Sequence, residues 1–129
     1  MKLLLDTHML LWAAAGTLPA KAEAMVLDGD NTMYFSPISI WEIGIKKSLG
    51  RNDFRVDAEV LRRGLMDNHY QEIPVTSQHA LALIDLPPIH RDPFDRMLLA
   101  QAKFEGISLL TSDSFLRQYP GPIIFIPKE

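Results

Sequence analysis

The chain has 129 residues, a size that suits one domain, and its 47% hydrophobic and 22% charged residues exclude intrinsic disorder. It contains no cysteine, which removes disulfides, thiolate metal sites and a catalytic thiol, so any metal must be held by carboxylates or imidazoles. Lys and Arg number 13 against 16 Asp and Glu, and the resulting net charge of −3 argues mildly against a basic nucleic-acid-binding module.

The N-terminal apolar run, Leu3-Leu4-Leu5, stops at Asp6, which is too short for a signal peptide, and no later run reaches membrane-spanning length. A cytoplasmic protein without a membrane segment is expected. Lys2–Leu5 reads as a short buried run, followed by a helix from beyond Asp6 to Ala15 that stops at Gly16. Leu18–Leu27 is a second expected helix, closed by the turn residues Asp28-Gly29-Asp30-Asn31. Thr32–Phe35 has strand composition, and Ile38–Leu49 a helical pattern ending at Gly50. Asp57–Asp67 reads as a helix with Asp57 as its cap, Glu72–Val75 as a strand and Ser77–Ile84 as a helix. Pro93–Glu105, closed by Gly106, is a strong helix. Ile107–Leu110 and Pro122–Ile126 fit buried strands, with a short helical piece at Ser114–Gln118 between them. Five strands alternating with helices imply βαβ units. The expected fold is a three-layer α/β/α domain over residues 1–129, with a central, mostly parallel five-stranded sheet. No internal repeat or linker interrupts it.

In such sheets functional residues gather where strands end and helices begin. Asp6 ends the first strand, Asp113 follows the fourth, Asp95 lies in the first turn of the preceding helix, and Glu42 lies about one turn into the helix after strand two. Each Asp also has an ordinary capping reading, and Asp92-Pro93-Phe94-Asp95 in particular resembles a cap, a proline at the first helical position and an acid at the third. Glu42 is different. At helical spacing Ile38, Trp41, Ile45 and Leu49 form an apolar stripe, and Glu42 borders it. A carboxylate there needs a partner, either a metal or a structural cation such as Arg96. Spacing leaves both open.

Four converging carboxylates would repel one another unless a cation sat among them. An all-oxygen site suits Mg²⁺, with Mn²⁺ as a substitute, and such an ion activates water for attack on a phosphodiester.

Four segments carry a resemblance: Leu5-Asp6-Thr7-His8-x-Leu10-Leu11-Trp12, Ser36-x-x-Ser39-x-Trp41-Glu42-Ile43, His90-x-Asp92-Pro93-Phe94-Asp95-Arg96 and Leu110-Thr111-Ser112-Asp113. Together they resemble PIN-domain proteins, and specifically the VapC-type ribonuclease toxins of toxin–antitoxin pairs. The likeness runs from Leu3 to about Ile126. It implies a Mg²⁺-dependent endoribonuclease with Asp6, Glu42, Asp95 and Asp113 as catalytic acids. It further implies Asp6 and Asp95 as direct metal ligands, and Thr111 as a supporting hydrogen-bonder. Cellular RNA is the implied substrate, a cognate antitoxin the implied partner and a homodimer the implied assembly.

Other residues carry less. His90-Arg91-Asp92 superficially matches a kinase catalytic loop, but the chain is too short and has no glycine-rich nucleotide loop. His8 and His90 flank the acids and read as structural, since Mg²⁺ prefers oxygen. Trp12 and Trp41 read as core or interface anchors, and Met97, Leu98 and Phe104 as core. Lys46, Lys47, Arg51 and Arg96 could form a basic rim for RNA phosphates, whereas Arg62 and Arg63 read as a solvated face. Two alternatives compete with the nuclease. A receiver-like Mg²⁺-binding signalling domain would need paired acids after strand one and a terminal-strand lysine, where this chain has Asp6-Thr7 and Ile126-Pro127. A non-catalytic PIN-like binding module would lack one of the acids, and all four are present.

Overall fold

The computed structural model describes residues 1–128, and residue 129 of the expected domain lies outside the described residues. In chain order the elements are β1 (Lys2–Leu5), α1 (Thr7–Ala15), α2 (Ala20–Leu27), β2 (Thr32–Phe35), α3 (Pro37–Ser48), α4 (Ala58–Asp67), β3 (Gln71–Glu72), α5 (Ser77–Ile84), α6 (Pro93–Glu105), β4 (Ser108–Thr111) and β5 (Ile123–Phe125). A 3-10 turn, Leu116–Gln118, connects the last two strands.

All strand pairs are parallel, in the order β3-β2-β1-β4-β5. A parallel sheet buries both faces, and β1 demonstrates it: Leu3 and Leu5 enter one core while Leu4 enters the other, all three fully buried. The first core joins Leu3, Leu5 and Leu110 to Met9 and Leu10 of α1, Ile43 of α3, and Leu61 and Leu65 of α4. The second packs Leu4 and Leu109 against Leu98, Leu99 and Ala102 of α6, with Ala82 and Leu83 of α5 alongside. The result is the three-layer α/β/α arrangement. Its strand order also differs from the 2-1-3-4-5 order of flavodoxin-like receivers, which removes the receiver alternative.

The helix ends are written in local chemistry. Asp92 and Pro93 open α6, and Gly106, at φ 70°, closes it in the left-handed conformation. Asp57 opens α4 by accepting from the backbone N–H groups of Glu59 and Val60 at 2.9 and 3.0 Å. Asp57→Ala is expected to cost about 1 kcal/mol, read as a lowered midpoint in urea with an unchanged slope.

Three expectations shift. The third strand is Gln71–Glu72 rather than Glu72–Val75, because Pro74 has no N–H for the ladder and the segment pairs with β2 alone at the sheet edge. On α3 the apolar stripe faces inward only in part: Ile38 and Ile45 are half-buried, Trp41 and Leu49 are exposed, and Ser39, Glu42 and Ile43 take the buried positions. Phe104 is likewise exposed, resting edge-on against His79 with centroids 5.5 Å apart.

Candidate active site

The sheet order puts β1 and β4 side by side at the centre, with Leu5 in register with Leu110. Their C-terminal ends therefore deliver Asp6 and Thr111 to the same place. The Thr111 hydroxyl donates to Asp6 Oδ2 at 2.6 Å, and Asp6 Oδ1 caps α1 by accepting from Met9 N–H at 2.9 Å. Thr111 Oγ1 also accepts from the backbone N–H of Asp113 at 2.9 Å, joining the two acidic positions. Asp113 in turn caps the segment after it, its Oδ1 accepting from Phe115 N–H at 2.7 Å.

Asp95 enters from the first turn of α6. Its Oδ2 and that of Asp113 each lie 3.0 Å from His90 Nε2. His90 Nδ1 accepts the backbone N–H of Asp92 at 3.2 Å, which leaves Nε2 as the ring donor, facing Asp113 Oδ2 with Asp95 alongside. The His90, Asp95 and Asp113 ligand atoms all lie within 4.8 Å of one another. His90 therefore belongs to the cluster rather than to its flank. The signal available in the sequence was its two-residue spacing from the capping Asp92.

Glu42 comes from the buried face of α3. Its Oε1 accepts from the Thr7 hydroxyl at 2.6 Å, and Thr7 Oγ1 is 2.9 Å from Ser39 Oγ. Its Oε2 pairs with the Lys46 ammonium one turn on. Arg96 is not its partner. That guanidinium donates to the carbonyls of Leu83, Leu86, Pro87 and His90, at 3.3 to 3.5 Å, and holds the loop that carries His90. Of the four cations expected at a rim, Lys46 lies inside the cluster and Arg96 binds this loop, while Lys47 and Arg51 are exposed. His8 packs on Phe54 and reaches Asp53 at 3.4 Å.

Burial holds the carboxyls of Asp95 and Asp6 above the usual carboxylate range. Desolvation, followed by the charges of Asp92, Asp6, Glu42 and Asp113, pushes the Asp95 carboxyl up to about 9. Desolvation also raises Asp6 to about 6, against the opposing hydrogen bonds from Thr111 and Met9. Buried carboxyls crowded with more negative charge than their neighbours neutralise are a donor set that fits a hard divalent cation. Beside them opens a cleft of about 270 Å³ whose walls include Asp6, His8, Trp12, Asp113 and Phe115.

The family model of the PIN domain matches residues 3–122, nearly the whole chain. This chain belongs to the PIN-domain family. Solved structures with the same PIN-like fold include VapBC2 from Rickettsia felis bound to a DNA fragment from its promoter, at 15% identity and a TM-score of 0.70 over 100% of both chains. Another is DNA-bound VapBC from Salmonella typhimurium, at 20% identity and a TM-score of 0.70, covering 97% of this chain and 98% of that one. A third is a toxin–antitoxin complex from Klebsiella pneumoniae, at 17% identity and a TM-score of 0.66 over 98% of each chain. At these identities the likeness is one of fold. No curated protein sequence matches the chain. Among the described residues, no helix of this PIN domain is long and apolar enough to cross a membrane.

Proposed function

We propose that this PIN domain is a VapC-type toxin: a Mg²⁺-dependent endoribonuclease that hydrolyses RNA phosphodiester bonds and is neutralised by a protein antitoxin. The observation that carries this reading is the convergence of Asp6, Asp95 and Asp113 at the β1 and β4 ends, where burial raises the Asp95 and Asp6 carboxyls. Asp6 and Asp95 would hold the metal, and Glu42 and Asp113 complete the pocket. Mg²⁺, for which Mn²⁺ would substitute, supplies an activated water nucleophile and offsets charge on the leaving oxygen.

The protein's own residues do the positioning. Thr111 and Met9 N–H hold the two oxygens of Asp6, leaving lone pairs free on each. His90 Nε2–H keeps the Asp95 and Asp113 carboxylates together without adding a ligand of its own. Arg96, through the carbonyls it binds, fixes the loop that places His90. Exposed Lys47 and Arg51 supply weak, salt-sensitive contacts to RNA phosphates.

An antitoxin partner is supported by the fold shared with VapBC complexes. A basic side chain from that partner entering the cleft would pair with the same carboxylates, which gives inhibition an electrostatic basis. A homodimer and a cytoplasmic location belong to the same reading.

The test is cleavage of structured RNA by the purified chain. Cleavage is expected with Mg²⁺, to disappear with EDTA, and to fall by more than about 100-fold in Asp6→Asn, since even residues outside the ligand set cost 10 to 100-fold. Equal cleavage by the variant, or cleavage that survives EDTA, would sink the assignment.

A further inference from the structure

The cation that faces Glu42 is already part of the chain. The Lys46 ammonium pairs with Glu42 Oε2, lies 3.8 Å from Asp92 Oδ2, and sits 4.8 Å from the Phe54 ring centroid and 5.5 Å from that of Phe94. Its side chain is only 16% exposed, and Phe54 beneath it is fully buried. Two carboxylates and two aromatic faces thus cage one ammonium. The pairing with Glu42 is the favoured i, i+4 order on a helix, and Thr7 holds the other Glu42 oxygen in place. The rest of the cluster differs. Among the described residues, Asp6 makes no ion pair, and Asp95 and Asp113 pair with His90 alone.

We propose that Lys46 is a built-in cation on the Glu42 side of the cluster, so that the site takes one divalent ion, at Asp6 and Asp95 beside Asp113, rather than two. This rests on the metal-dependent reading above and deepens it. A second divalent ion at Glu42 would have to displace an ammonium from its carboxylate and from two ring faces, or sit against it as a like charge. Glu42 is then a positioning residue: it holds Lys46 and does not ligate metal. Lys46 has moved from an expected rim contact to a structural part of the centre.

Metal stoichiometry separates the possibilities without reference to activity. The full chain is titrated with Mn²⁺, and bound ion is counted from the loss of the free-ion signal in electron paramagnetic resonance. The wild type is expected to bind one Mn²⁺ per chain. Lys46→Met, which keeps an apolar stem between the rings and removes the charge, is expected to bind two. Glu42→Gln, which keeps an acceptor for Thr7, is expected to bind one with affinity within about threefold of wild type, where loss of a true ligand would exceed tenfold. Two ions in the wild type, one in a folded Lys46→Met, or a larger affinity loss in Glu42→Gln would each overturn the proposal. If Lys46→Met does not fold, the Glu42→Gln affinity decides alone. No bound Mn²⁺ in the wild type would overturn the metal-dependent reading itself, a result distinct from a wrong count.

Discussion

Asp95→Asn is expected to make the metal-free protein more stable at pH 8 while removing its Mg²⁺-dependent cleavage of RNA. The carboxyl side chain is 15% exposed, and burial with four neighbouring acids raises it to about 9. In the unfolded chain the same group ionises near its ordinary value of 3.8. Between those values the folded state holds the extra proton, so stability falls as pH rises, by about 1.4 kcal/mol per unit of pH. By pH 7 this amounts to at most roughly 4 kcal/mol, and it continues to grow towards the folded value. Asparagine never ionises, and it keeps the shape of the carboxyl beside His90. Thermal melts in EDTA at pH 8 should therefore show the variant higher by about 4 °C or more. At pH 4 the two should coincide, since both side chains are then neutral when folded. Added Mg²⁺ should raise the wild-type midpoint and leave the variant unmoved, because binding stabilises only the state that binds. Cleavage should fall by more than about 100-fold, as for Asp6→Asn. A variant that is both less stable at pH 8 and still active would contradict the electrostatic account.

Phe54→Ala should have the largest effect on folding of any single change near the site. Phe54 lies outside the regular elements, between α3 and α4, yet it is fully buried in the first core. The His8 ring meets it edge-on at 5.5 Å, and Lys46 and Arg51 sit over it at 4.8 and 5.6 Å. Truncation removes core volume and the floor of the Lys46 cage together. A loss of about 3–5 kcal/mol is expected, a large share of a typical domain's stability of roughly 5–15 kcal/mol. It should be read as a lower denaturant midpoint. Phe54→Leu should recover more than half of that loss, because it restores apolar volume but not the ring face. A loss below about 1 kcal/mol for Phe54→Ala would mean that the segment does not pack as described.

Most element boundaries were legible because each is set by a residue acting locally. Gly106 can adopt a left-handed conformation without strain, Pro93 suits a first helical position, and Asp57 caps from its own side chain. The three aspartates of the cluster illustrate a different point. Asp6 and Asp113 are helix or turn caps, as local sequence suggests, and they also converge with Asp95, so capping and clustering are not exclusive readings. What was not legible depends on pairings across the sheet. The buried face of α3 carries Ser39 and Glu42 because Thr7, more than 30 positions away, meets them there. A hydrophobic stripe drawn on the helix alone therefore selected Trp41 and Leu49, which are exposed. The surroundings of Lys46 and His90 are local in part, since Glu42 lies one turn before Lys46 and Asp92 two residues after His90, while Phe54 and Asp113 are brought to them by topology.

Crystals grown with Mn²⁺, measured at a wavelength where manganese scatters anomalously, show whether the β1, β4 and α6 acids form a divalent-cation centre. An anomalous peak is expected between the carboxylates of Asp6 and Asp95, next to Asp113, and none in Asp95→Asn crystals grown identically. No peak at those carboxylates in the wild type, or an equal peak in the variant, would contradict it.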